Sequence, residues 1–290
     1  MSESRIRHIT VVGVGLLGGS VGLAAKAADE RIRVIGVGRR RSSLQRALDA
    51  GAIDEATLAT ADAVGGADVV VLATPMSAYE RHLKAAAGAL PPGAMVTDVG
   101  STKAVVVELA EELLAPARCF VGSHPMAGGE QRGPEYARAD LFVGATCIVT
   151  PTRRTPPRLA RRAERFWQML GATTVRMSPA AHDRAVGRIS HLPHVLAALM
   201  VRLQRPADLR LAGAGWLDTT RIASGSPAMW REVLLTNRAA VLSAIDDADE
   251  ELMGLRDLID AGDAAGIERY LAAAGRRRDG LLRERLRRRQ

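Results

Sequence analysis

Ile9-Thr10-Val11-Val12-Gly13-Val14-Gly15-Leu16-Leu17-Gly18-Gly19-Ser20 is the stretch that decides how this chain folds. An apolar, β-branched run meets glycines at 13, 15 and 18, and a helical pattern follows from Ser20. A strand that turns sharply into a helix uses the first glycine for the turn. The second lets an anion approach the backbone, and the third lets helix and strand pack closely. Unpaired N–H groups and the dipole at the helix start then favour a pyrophosphate. Gly13, Gly15, Leu16, Leu17 and Gly18 are therefore the candidate phosphate cradle.

Working outward, strand-like runs at 34–37, 69–73, 95–98, 119–122, 146–150 and 173–177 alternate with helical stretches such as 20–28, 43–50 and 103–114. That alternation predicts a parallel sheet with crossover helices. Residues 150–157, rich in Pro, Thr and Arg, read as a surface loop. After Ser178 the period changes: 179–202, 227–245 and 250–289 carry apolar residues at helical spacing, with Pro206, Gly262 and Gly266 as breaks. The fold class expected is α/β, a Rossmann-like doubly wound parallel sheet over residues 1–178, followed by an all-α domain over 179–290. The first domain would bind a dinucleotide, the second substrate. Long helices with broad apolar faces also predict a homodimer formed through the helical domain.

A chain of 290 residues, 47% apolar and 25% charged, has room for a full core. Its longest apolar runs are strand length, so no membrane span is expected, and the start does not read as a cleavable leader. Cys119 and Cys147 sit in strand-like segments and read as buried free thiols, pointing to a cytoplasmic protein. The net charge of +8 is concentrated in residues 276–290, where eight arginines face Asp279 and Glu284. Without interleaved aromatics this reads as a solvated helix end, and no nucleic-acid partner is expected.

The end of the second strand selects the dinucleotide. A carboxylate about 20 residues past the glycines would bind the ribose 2′-hydroxyl of NAD. Here Gly38 stands in that place, followed by Arg39, Arg40 and Arg41. Guanidinium groups suit a 2′-phosphate, so Arg39 and Arg40 predict NADP, with NAD as the alternative. Thr74 and Pro75, closing another strand, complete the candidate cofactor contacts.

Ligands of doubly wound sheets bind at the carboxyl ends of the strands. His124, in Ser123-His124-Pro125-Met126-Ala127-Gly128, emerges at one such end. An imidazole there can take the proton released when a carbinol loses hydride; the bland alternative is a histidine satisfied by backbone. Ser101 is either a partner of that site or the N-cap of the next helix. Lys103 is either a phosphate or substrate ligand or a solvated first-turn lysine. His191 and His194, three apart near a helix start, suit helix capping or substrate contact, and no metal is expected. Arg221, flanked by small and apolar residues, reads as buried and paired with Asp218 or with a substrate acid.

These residues carry a resemblance to the prephenate/arogenate dehydrogenase family of tyrosine biosynthesis. It runs from about Ile9 to Ile245 and rests on Gly15–Ser20, Asp98–Lys103, Gly122–Gly128, Ser190–His194, Thr220–Ala223 and Pro227–Arg231. Ser-His-Pro-Met-Ala-Gly followed by Ser-His-Leu-Pro-His is its specific part. The resemblance implies oxidative decarboxylation of a cyclohexadienol: hydride leaves the ring carbon bearing the hydroxyl, and the ring carboxylate leaves as carbon dioxide. By motif position it implies that His124 is the base, that Ser101 supports it, and that Arg221 holds a substrate carboxylate. His194 would touch the substrate side chain, and Glu130 would gate or polarise the site. Prephenate and arogenate are not distinguished. Two rivals follow from the same residues. A β-hydroxyacid dehydrogenase or imine reductase shares the two-domain plan, but the hydroxyacid enzymes need a lysine in the helical domain, where this chain has none. A non-catalytic NADP sensor would need neither His124 nor Arg221.

Overall fold

The computed structural model describes residues 5–114, 119–129, 131 and 133–287. Among these, eight strands form one sheet in the order β3-β2-β1-β4-β5-β6-β7-β8. The strands are β1 His8–Val12, β2 Arg33–Val37, β3 Glu55–Thr57, β4 Val69–Leu72, β5 Met95–Asp98, β6 Phe120–Pro125, β7 Thr146–Thr150 and β8 Thr173–Arg176. Helices α1 Leu16–Ala28, α2 Arg41–Asp49, α3 Thr60–Val64, α4 Tyr79–Ala87, α5 Ala104–Leu113 and α6 Pro157–Met169 cover its faces. Alternate residues of each strand feed opposite cores. Val11, Val69 and Val71 pack with α1 and α6, whereas Val12, Val70 and Leu72 pack with α3, α4 and α5. Burial on both faces is why these strands read as unbroken apolar runs.

Strand order reverses at β1, whose neighbours are β2 and β4. That is the switch point beside which the carboxyl ends of a doubly wound sheet leave a crevice. Three expectations need correction. The short edge strand β3, Glu-Ala-Thr, has neither the length nor the apolar content to announce itself. The sheet is not wholly parallel, because β6 pairs parallel with β5 and then antiparallel with β7. A parallel return needs a crossover, and among its described residues the Gly- and Pro-containing segment 126–145 supplies only the 3-10 turn Pro134–Tyr136. Finally, β6 continues through Pro125, so His124 lies within a strand opposite Ile148 rather than beyond its end.

Beyond β8 come α7 Pro179–Val186, α8 Leu192–Leu203, α9 Ala214–Thr220, α10 Pro227–Thr236, α11 Arg238–Asp260 and α12 Ala264–Arg287. Backbone contacts gather Met1–Asn237 into one compact unit and Arg238–Gln290 into another. The second is a helical hairpin turning at Gly262, whose φ of +64° suits a residue without Cβ. Gly266, expected as a break, lies inside α12, where Asp263 accepts its N–H at 2.9 Å and caps the helix. The stretch 227–245 is likewise divided, α10 ending at Asn237. No helix among the described residues is long and apolar enough to cross a membrane.

Candidate active site

The glycine turn has the geometry its sequence requires. Gly13 has φ +103°, and a Cβ there would stand 2.6 Å from the Ala73 carbonyl oxygen. At Gly18 a Cβ would meet the Gly13 oxygen at 2.0 Å, so helix and turn tolerate only glycine. Gly15 is different: a Cβ there meets nothing within 4 Å. It stands at the N-cap of α1 with no side-chain cap, leaving the Leu16 and Leu17 end of the helix open to an anion. The Thr74 hydroxyl, in the segment that Gly13 packs against, is buried without a partner. Such a hydroxyl costs stability unless something completes it. An open cradle and an orphaned hydroxyl beside it fit a bound dinucleotide. Pro75 follows at the start of a 3-10 turn. Arg39 and Arg40 are exposed just past β2, and neither forms an ion pair among the described residues.

His124, Ser101, His191 and Trp230 face a cavity of about 250 Å³ that Pro125–Gly128 also line. The next residue adjoins the cradle, since a Cβ on Gly129 would lie 3.5 Å from Leu16 Cδ2. Strand pleating sends Ser123 to the opposite face, where the Trp167 indole donates to its hydroxyl at 2.8 Å and the hydroxyl donates to the Asp98 carbonyl at 2.6 Å. His124 Nδ1 lies 2.8 Å from His182 Nε2. Burial, with the nearby His182, Lys103 and His191, holds the His124 pKa well below the ordinary histidine value. The ring is therefore an uncharged base at neutral pH.

Ser101 is not the cap of α5. That helix begins at Ala104, and the N–H groups of Lys103 and Ala104 donate to the Asp183 carboxylate at 2.7 and 2.8 Å. Ser101 lines the cavity instead. Lys103 is neither solvated nor a ligand; it is fully buried and ion-paired with the fully buried Asp98.

His191 and His194 part company. Pro193 has no N–H to return to the Ile189 carbonyl, and the chain widens into a π turn over Gly187–His191. That turn buries His191, whose Nδ1 lies 3.1 Å from the Asn237 amide, and burial lowers its pKa to about 4. His194 stacks on Trp230 with ring centres 3.5 Å apart, and its buried Nδ1 has no partner. It stands outside the cavity wall. Arg221 is exposed, contrary to expectation, because the 3-10 turn Arg221–Ser224 leaves it on the surface with Ile222. It is not on the cavity wall. Glu130 lies outside the described residues. The sequence reading missed His182, Asp183 and Trp230. No local sequence pattern marks 182–183, because His124, which His182 meets, lies 58 positions away.

A glycine turn at the switch point and an uncharged histidine on an adjoining cavity define the class as NAD(P)-dependent dehydrogenases. Comparison with known proteins narrows it. The nucleotide-binding domain of prephenate dehydrogenase matches residues 21–176, and the dimerization domain of prephenate dehydrogenase matches 178–273. The chain is 36% identical to the prephenate dehydrogenase of Bacillus subtilis, over 94% of this chain and 76% of that one. It is 32% identical to the cyclohexadienyl dehydrogenase of Zymomonas mobilis, over 89% and 90%. The crystal structure of prephenate dehydrogenase from A. aeolicus, in complex with hydroxyphenyl propionate and NAD+, superposes with a TM-score of 0.90. There the identity is 32%, covering 97% of this chain and all of that one. The chain belongs to the prephenate dehydrogenase family.

Proposed function

We propose that the chain oxidatively decarboxylates prephenate or arogenate, giving 4-hydroxyphenylpyruvate or tyrosine, with NADP as the preferred acceptor. The observation that carries this is His124, an uncharged base on the wall of a cavity that adjoins the open glycine cradle. Gly13, Gly15, Leu16, Leu17, Gly18, Thr74 and Pro75 would hold the dinucleotide, and Arg39 and Arg40 its 2′-phosphate. When bound, the nicotinamide takes up the hydride. His124 accepts the proton of the ring hydroxyl, with Ser101 as its hydrogen-bonding support. His191 and Trp230 shape the cavity. Arg221, His194 and Glu130 are assigned to the substrate on family resemblance. An arginine on the departing carboxylate must orient it without binding it more tightly than the transition state does. Following NADPH absorbance with prephenate and arogenate in parallel tests the proposal. Turnover of either supports it, and failure of both with a folded, nucleotide-binding protein overturns it.

The cofactor preference has its own test. A Cβ at Gly38 would lie 3.1 Å from the flexible tip of Leu44, so an aspartate fits after a small shift. Gly38→Asp with Arg39→Asn is expected to move the ratio of kcat/KM for NADP over NAD by about tenfold or more toward NAD, about 1.4 kcal/mol or more. An unchanged ratio would remove Arg39 from the phosphate site.

The division into a nucleotide domain at 1–178 and a substrate and dimer domain at 179–290 belongs to the same reading. Leu196, Leu199 and Leu203, 40%, 47% and 69% exposed on α8, fall at helical spacing and support a homodimer. The buried, unpaired Cys119 and Cys147 support a cytoplasmic protein.

A further inference from the structure

Behind His124 stands a chain of polar groups that no motif announces. His182, on α7 and fully buried, presents Nε2 to His124 Nδ1 at 2.8 Å, the two rings meeting edge to face at 62°. Its other nitrogen, Nδ1, lies 2.7 Å from Asp183 Oδ1. Asp183 also accepts the Lys103 N–H on Oδ1 and the Ala104 N–H on Oδ2, at 2.7 and 2.8 Å, at the start of α5. Its main-chain carbonyl accepts from Asn237 Nδ2 at 2.8 Å.

Burial alone would raise the Asp183 pKa, but the hydrogen bonds from His182, Ala104 and Lys103 outweigh it and keep the carboxylate ionised. An ionised carboxylate only accepts. The shared proton on His182 must therefore sit on Nδ1, and a neutral His182 then offers a lone pair at Nε2. That lone pair requires a proton on His124 Nδ1. The nitrogen left bare is His124 Nε2.

We propose that His182 and Asp183 are positioning residues that fix His124 in the one neutral tautomer able to accept the substrate hydroxyl proton. The inference rests on the functional reading above for what His124 accepts, but not for the tautomer itself. As the hydroxyl proton arrives at Nε2, His124 becomes an imidazolium whose Nδ1–H still donates to His182. The Asp183 anion, acting through His182, then stabilises that charge. Both protons stay on His124, so nothing needs to pass along the chain.

The ring nitrogens of the full-length protein, with and without NADP, can be read by long-range proton–nitrogen spectra of 15N-labelled histidines. Wild-type His124 and His182 are each expected to show a protonated Nδ1 and a bare Nε2. In Asp183→Asn the anion is lost, and an amide nitrogen in the Oδ1 position donates to His182 Nδ1 and inverts both rings. That variant is expected to lose about 10²–10⁴ in kcat, the scale of a wrong-tautomer defect in a serine protease triad. KM should change by less than about threefold, since uniform binding is untouched. Asp183 also caps α5, so His182→Phe provides a second variant. It keeps the edge contact and the cap, removes both nitrogens, and should lower kcat by about 10–100-fold. A protonated Nε2 on wild-type His124, an imidazolium at His182 near pH 7, or unchanged kcat in both variants would overturn the proposal. If the tautomers stand as described while neither cyclohexadienyl acid is oxidised, the functional reading fails and the positioning role survives.

Discussion

His124→Asn is expected to fold normally, bind dinucleotide as the wild type does, and lose about 10²–10⁴ in turnover, the usual contribution of a positioned acid or base. The reason lies in which atoms asparagine keeps. Its amide can still donate toward His182 Nε2, now 2.8 Å from His124 Nδ1, so the buried neighbour is not orphaned. It has no equivalent of the bare Nε2 that faces the substrate. The loss should appear in kcat and kcat/KM alike, with NADP affinity by calorimetry unchanged. The wild-type pH profile provides an internal check. Burial depresses the His124 pKa, so the base stays unprotonated below the ordinary histidine value. In the free enzyme kcat/KM should therefore hold constant as pH falls through 6.5, the unperturbed histidine value, and decline only in more acidic solution, and the Asn variant should lack that decline. Near-wild-type turnover in His124→Asn would remove the base from the mechanism.

How much of this was legible in the sequence depends on whether the determinant is local. The glycine turn is written in consecutive residues, because a positive φ at Gly13 and the close approach at Gly18 each demand glycine whatever lies elsewhere. The two-sided strands show themselves by unbroken apolar runs. His124 stood out for the same reason, as a histidine beside a glycine-rich segment at a strand end, although the strand extends further than its apolar pattern suggests. What decides the protonation state of His124 is not local. His182 and Asp183 are the fourth and fifth residues of an ordinary helix whose Ser178 cap and Pro179 are the only marked features. Lys103, read as a ligand or a solvated first-turn lysine, proved to be neither, whereas Ser101, read as a site partner or a helix cap, lines the cavity. In this fold Asp183 has taken the capping role and Asp98 has taken the lysine. Arg221 failed in the opposite sense, since small neighbours suggested burial where a 3-10 turn gives exposure.

Lys103→Met should be the most destabilising single change at the site, by about 3–5 kcal/mol, the cost of leaving one partner of a buried ion pair alone. Lys103 and Asp98 are both fully buried, so no water can replace the missing ammonium. Asp98 is also the point where three strands, β4, β5 and β6, are tied together. Its carboxylate accepts the Ser123 N–H at 2.9 Å and the Gly100 N–H at 2.8 Å, and the Tyr79 hydroxyl, which also donates to the Leu72 carbonyl at 3.1 Å, lies 3.4 Å away. With the lysine gone these donors must carry a buried anion by themselves. Denaturant unfolding of Lys103→Met should show the loss directly, and adding Asp98→Asn should recover part of it by removing the uncompensated charge. Turnover should fall further than stability alone accounts for, because Ser101 follows β5 and His124 lies on β6, the two strands that Asp98 ties together. A cost below about 1 kcal/mol, the range of a surface pair, would mean that the pair does not brace the site. The placement of Ser101 and His124 would then have to come from the packing of α5 against α7 alone.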